Sequence, residues 1–266
     1  MPRQIRHGNE KNFGIFDIYG KRETIMKKTV FLATTAILGT LMVSSTGFAA
    51  TYTDNTAKTD AKVAFQAPKE NPDKPVTPGT DPENPDTPDQ PGNNGNDSKA
   101  LLKLVWATDF DFDSHTISSK QESYAAKQLA TKNGKFIPAY TEVSDKRAVQ
   151  TGWNLSVKQD SDFIGTKGST LKGAQLKLAD PAVTELANGD VSTITHQANT
   201  LSDKNSTVMD AKQGTMPGNY FASFQGTADT TAHTDDGVSL AVPANAALAD
   251  TYTTTLTWTL SNEPEA

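Results

Sequence analysis

Asp109, Asp111 and Asp113 are three carboxylates at alternate positions, spaced like the first ligands of a calcium-binding EF-hand loop. The rest of that loop is missing. Its sixth position, normally Gly for a sharp turn, is Ser114, and its twelfth, normally a bidentate Glu, is Lys120. In an extended strand the three aspartates share one face and Phe110 and Phe112 the other, which is the pattern of an ordinary amphipathic strand. The histidines offer no zinc spacing: His7, His115, His196 and His233 form neither H-x-x-x-H nor HExxH. There is no G-x-S-x-G, and residues 165–173 are a Gly/Lys/Thr loop without phosphate-loop spacing. A Ser triad is defined in space, so the sequence does not name one. It singles out no carboxylate pair for glycoside cleavage either. With no cysteine, thiolate catalysis, Cys-ligated zinc and disulfides are all excluded. These observations predict a protein that is not an enzyme and takes no cofactor and no metal.

Two tripeptides remain, Trp153-Asn154-Leu155 and Trp258-Thr259-Leu260, set 105 residues apart. Residues i and i+2 of a strand point the same way, so Trp153 pairs with Leu155 and Trp258 with Leu260 as apolar faces. Two uses follow. Both pairs can pack in the core, as large aromatics of half-buried strands usually do. Alternatively the two indoles lie side by side as a platform for sugar rings.

The elements that must position these residues read as strands. Leu102, Leu104 and Trp106 fall on one face, as do Trp153, Leu155 and Val157. Ala174, Leu176 and Leu178 alternate with polar residues; so do Tyr220, Ala222 and Phe224, and Val238, Leu240 and Val242. The longest run is Tyr252, Thr254, Leu256, Trp258 and Leu260. Asn133-Gly134, Asn188-Gly189 and Asp236-Gly237 are predicted hairpin tips. Only residues 122–131 could make a short helix. The fold class is all-β: an antiparallel β-sandwich or barrel-like domain.

Five zones divide the chain. Residues 1–25 carry no usable pattern and read as an upstream start artefact or a long n-region. Residues 26–49 read as a cleaved secretory signal: Lys27 and Lys28, then 14 apolar residues from Val30 to Val43, then small residues ending at Ala49. Fourteen is short of the roughly 20 residues a membrane-spanning helix needs, so no membrane insertion is expected after cleavage. Residues 51–67 form a tail in which Lys62-Val63-Ala64-Phe65 alternates like one strand, read either as a strand docked on the main sheet or as a disordered tail. Residues 68–98 are a Pro/Asp-rich linker holding eight of the chain's 14 prolines, at 68, 72, 75, 78, 82, 85, 88 and 91. Such a stretch should be extended polyproline II, with a reach of roughly 70 Å for residues 68–91 at about 3.1 Å each. Residues 99–266 are long enough to bury one core without disulfides.

Charge narrows the partners. Of 25 Lys+Arg and 31 Asp+Glu, residues 1–50 hold seven and three, leaving 18 against 28. An acidic chain does not suit nucleic acid, whose phosphates require a basic face.

The two W-x-L tripeptides, each in strand context and the second close to the C-terminus, resemble the WxL domain of Gram-positive surface proteins. Asp109-Phe110-Asp111-Phe112 followed by Ile117-Ser118 and Tyr124-Ala125 is similar to that domain's opening. The proline-rich excursion after a first strand, Tyr252 ahead of the last motif and Pro264 behind it also fit. Asp113 stands where the family often has Gly. Asp145-Lys146-Arg147-Ala148 replaces the usual Asp-x-Arg-Gly, which implies an altered turn. The resemblance implies non-covalent attachment to the cell wall, with peptidoglycan the ligand, Trp153, Leu155, Trp258 and Leu260 the motif residues, and no catalysis. It also implies other cell-surface proteins as partners, so a protein-binding adhesin or assembly subunit is the alternative. Localisation is secreted and cell-wall associated. The chain ends Ser261-Asn262-Glu263-Pro264-Glu265-Ala266 without an LPxTG-type sorting signal, so retention is expected to be non-covalent.

Overall fold

A computed structural model describes residues 51–59 and 61–265. The signal peptide and the stretch before it lie outside the described residues. All regular structure described is β. The tail holds a hairpin of β1 (Thr51–Thr53) and β2 (Thr56–Lys58). The globular part runs through β3 (Leu102–Ala107), β4 (Glu122–Lys127), β5 (Leu129–Ala130), β6 (Phe136–Ile137), β7 (Tyr140–Asp145) and β8 (Trp153–Gln159). It continues with β9 (Ile164–Gly165), β10 (Gln175–Leu178), β11 (Ala182–Glu185), β12 (Ile194–His196), β13 (Asn199–Thr200) and β14 (Ser206–Ala211). The last five are β15 (Gly218–Ser223), β16 (Ala228–Asp229), β17 (Thr234–Val242), β18 (Tyr252–Thr253) and β19 (Leu256–Ser261).

Three antiparallel sheets share the core. Their orders are β11-β15-β7-β3, β12-β14-β8-β19 and β13-β10-β17-β16, with β4 also paired to β17. None closes into a barrel, and the sandwich expectation holds. Alternation explains the core: Trp153, Leu155 and Val157 of β8, Leu176 and Leu178 of β10, Tyr220 and Ala222 of β15 and Val238 and Leu240 of β17 all point into it. The sheet of β7 and β15 is buried on both faces. Behind it lies a second cluster of Trp106, Leu129, Tyr140 and Phe221. Adjacent apolar residues such as Tyr220-Phe221 are the trace that two-sided burial leaves in sequence.

Trp106 was expected beside Leu102 and Leu104, and it is not there. A register shift lets Leu104 face Val143 and Trp106 face Glu142, so the bulge turns Trp106 to the second cluster. Asp236-Gly237 is likewise no hairpin tip. It lies within β17, at a register shift against β4, where a Cβ on Gly237 would stand 2.2 Å from the Phe224 carbonyl oxygen. Asn133-Gly134 does turn between β5 and β6. Residues 122–131, the one stretch that the sequence left open to a short helix, are β4, β5 and the start of that turn. Asp109–Asp113 is not a strand, since Asp113 has a positive φ of 61°.

The largest departure is the proline segment. It does not swing free as a spacer. It is a strap clamped across the second face of the β3–β7–β15 sheet, with Asn71, Pro75, Thr77 and Asp86 buried. One end of that face is apolar and takes Val76 against Trp106, Tyr140 and Phe221. The Tyr140 hydroxyl donates to the Val76 carbonyl at 2.8 Å. The other end is polar. The Asn71 amide donates to Ser144 Oγ at 2.9 Å. Lys103 Nζ donates to the Asn71, Asp73 and Ser98 carbonyls at 3.2, 2.8 and 3.0 Å. Further along, Asp89 N–H donates to the Ala130 carbonyl and Asn96 N–H to the Val105 carbonyl. Prolines lack donors, so the strap is held by its intervening Asn, Asp and Thr residues and by protein donors reaching its carbonyls. Lys62-Val63-Ala64-Phe65, read as a docked strand or a loose tail, has no strand assigned, and its side chains are exposed.

Candidate functional site

The two W-x-L tripeptides lie on hydrogen-bonded neighbours. β8 and β19 pair antiparallel with Leu155 opposite Leu260 and Val157 opposite Trp258. Directly opposed residues share a face, so all four motif side chains point inward. The indoles are not side by side, because Trp258 sits opposite the residue four positions beyond Trp153. Trp153 is 0% exposed and tilts against Tyr220 at 5.7 Å. Leu155 is equally buried. Trp258 and Leu260 are half-buried, with Trp258 tilted against Phe224 at 6.4 Å. The paired platform is therefore not formed. The first motif is core, and the second lies at the core's margin.

That margin opens into a cleft of about 770 Å³. One wall is the β4–β17–β10 sheet, which contributes Tyr124, Leu240, Val242 and Leu176. The other is Tyr252 of β18 with Leu256 and Trp258 of β19. Residues 107–117 run along it and place Phe110, Phe112 and His115 at its border. The His115 ring stacks on Tyr124 with centroids 3.9 Å apart. Lys127 secures this segment, with its ammonium 3.1 Å from Asp111 and 3.4 Å from Asp113. Two of the three aspartates considered as calcium ligands are thus paired to a lysine.

The rim is polar. Asp109, Asp250 and the hydroxyls of Thr251, Thr253, Thr254 and Thr255 line it. Hydrogen bonds from the Thr166 hydroxyl and the Lys167 N–H lower the Asp250 pKa to about 2, so it carries a fixed negative charge. Aromatic faces below and hydroxyls and carboxylates above suit an amphipathic ring such as a sugar, whose C–H faces pack on aromatics while its hydroxyls bond at the rim.

The sequence reading named Arg147 only as part of an altered turn and gave it no role. It lies in the altered Asp145-Lys146-Arg147-Ala148 turn, and its guanidinium reaches Asp145 Oδ2 and the Gly152 carbonyl at 2.8 Å each and the Asn262 carbonyl at 3.4 Å. One cation thereby ties the end of β7, the residue before the first motif and the residue after β19. The available signal was the Asp145-x-Arg147 spacing.

Neither the curated proteins nor the solved structures contain a match to this chain. The family model for the WxL domain, described as surface cell wall-binding, matches residues 52–264. The chain belongs to the WxL surface cell wall-binding domain family.

Proposed function

We propose that this domain holds the protein on the cell wall by binding peptidoglycan in the cleft beside Trp258, without catalysis, after secretion. One observation carries the reading: the half-buried indole of the second motif stands in the wall of an aromatic cleft with a hydroxyl and carboxylate rim. Trp153 has the complementary role. It is fully buried, so it supports β8, which in turn carries β19.

A pull-down on isolated walls stripped of teichoic acids tests this. The wild-type chain is expected to sediment with the stripped wall. Trp258→Ala is expected to lose at least tenfold in affinity while keeping the wild-type circular dichroism spectrum. A folded Trp258→Ala variant that binds as the wild type does would move the contact away from the cleft. If the wild type does not bind stripped wall, the peptidoglycan reading fails and a cell-surface protein becomes the partner.

A further inference from the structure

The cleft beside Trp258 is lined by charge of one sign. Asp109, Asp111, Asp113 and Asp250 line it, and no lysine or arginine does. The one basic side chain in the lining is His115, whose ring stacks on Tyr124. Two of the four carboxylates are compensated from outside the lining, because Lys127 stands 3.1 Å from Asp111 and 3.4 Å from Asp113. The other two make no ion pair among the described residues. Asp250 is half-buried and is held by neutral donors: the Thr166 hydroxyl, the Lys167 N–H at 3.0 Å and the Thr251 N–H at 2.8 Å. The Lys167 ammonium turns instead to the Ala249 carbonyl, at 2.8 Å. Asp109 is exposed, with one carboxylate oxygen 3.3 Å from the Asn93 amide. Neutral donors orient a carboxylate without cancelling its charge, so both keep their attraction for a cation.

A carboxylate rim alone would be an ordinary solvated surface. Here it tops an aromatic floor. Phe110, Phe112, Tyr124, Tyr252 and Trp258, all half-buried, line the same cleft of about 770 Å³. Aromatic faces attract cations as well as the C–H faces of sugars. Ring faces and unpaired carboxylates are independent features, and together they favour one kind of guest, an amphipathic ring that carries a positive charge. An amino sugar with a free amine is such a ring. Its ammonium offers three donors and a full charge to the rim. The N-acetylated form offers a single N–H and no charge, so it would strip water from Asp109 and Asp250 without replacing what was lost.

We propose that the cleft selects a hexosamine whose amino group is free, a de-N-acetylated sugar of the wall glycan, with the ring on the aromatic floor and the ammonium at Asp109 and Asp250. This selectivity rests on the reading of the cleft as the peptidoglycan site, and it adds the chemical form of the sugar. It also gives an acidic domain a point of attraction on an anionic wall, where complementary charge sets specificity.

Titration calorimetry of the full chain with two soluble probes tests it, the trimer of glucosamine and the trimer of N-acetylglucosamine. At pH 6 carboxylates are ionised and a sugar amine is protonated. The glucosamine trimer is expected to bind at least tenfold more tightly. Asp109→Asn is expected to narrow that preference at least threefold, Asp203→Asn, an exposed aspartate outside the cleft lining, to leave it unchanged, and Trp258→Ala to weaken both probes. Equal affinity for the two trimers, with Trp258→Ala weakening both, would overturn the selectivity and leave the peptidoglycan reading standing. A preference that survives Asp109→Asn intact would overturn it as well, by making the attraction one of overall charge. So would a lysine tripeptide that competes as well as the glucosamine trimer, since the guest would then be any amine. Failure of both trimers to bind would overturn it too, and the pull-down on stripped wall then decides the peptidoglycan reading by itself.

Discussion

Arg147 and the two motif tryptophans show how side chains of one sequence pattern come to differ in task. The guanidinium of Arg147 is largely withdrawn from water against Asp145, with side-chain exposures of 14% and 4%. Removing one partner of such a pair strands the other, at a cost of about 3 kcal/mol. Arg147→Ala is therefore expected to lower unfolding free energy by that amount in urea titrations, and a loss below about 0.5 kcal/mol, the size of a surface pair, would refute the clamp. Trp153→Ala empties a fully buried site and is expected to cost about 4 kcal/mol. Trp258 is half-buried, so its truncation should cost less than half as much while reducing wall affinity more. Equal stability losses for the two would contradict their different burial. Whether these faces pack inward was left open by the sequence, but that Trp153 shares a face with Leu155, and Trp258 with Leu260, was legible from alternation alone. Their division into core and cleft margin was not, because it depends on β19 being an edge strand, a property of sheet order.

Among the elements, β8, β10 and β19 were legible because each alternates cleanly against one core. The failures have local causes. The bulge in β3 breaks period two at Trp106, and β17 uses Asp236-Gly237 as a bulge because only Gly fits against the Phe224 carbonyl. The strap failed for a longer-range reason. Proline spacing dictates an extended backbone, and the structure keeps it extended. What holds the strap lies on β3, β5 and β7, and composition does not encode that contact. Asn71 is its principal peg, 0% exposed, with its amide on Ser144 and Lys103 on its carbonyl. Asn71→Ala leaves the Ser144 hydroxyl short of a buried partner and should cost about 2 kcal/mol. Guanidinium unfolding measures that loss. A neutral result would mean the strap is held by its other contacts alone.

At the scale of the molecule, titration links stability to wall attachment. Glu142 is fully buried beneath the strap, accepting hydrogen bonds from Val76 N–H and the Asn219 amide, with Asp73 and Lys103 as the charged groups facing it. Burial raises its pKa to about 8, which outweighs those hydrogen bonds. An acid whose folded pKa exceeds its unfolded value of 4.5 binds more protons when folded, so its share of stability is lost as pH rises from about 4.5 through 8. Burial alone would also raise Asp73, but hydrogen bonds from Ser144 and Lys146 hold it below the usual range, and that contribution is lost only in stronger acid. The thermal midpoint is therefore expected to be higher at pH 5 than at pH 8, with the difference diminished in Glu142→Gln. An unchanged difference in that variant would acquit Glu142. The surface adds a second dependence of the same sign. Residues 51–266 carry 28 acidic against 18 basic residues, and an anionic wall repels them at neutral pH. Exposed carboxylates begin to protonate near pH 4–5, so wall binding should tighten several-fold on going from pH 7 to pH 5 at constant ionic strength. The two effects separate by measurement: Glu142→Gln should change the stability profile and leave the binding profile alone, because the buried carboxyl never meets the wall. Wall binding that stays flat from pH 7 to pH 4 would show that charge repulsion does not govern attachment, and would leave the aromatic faces and rim hydroxyls of the cleft to account for it.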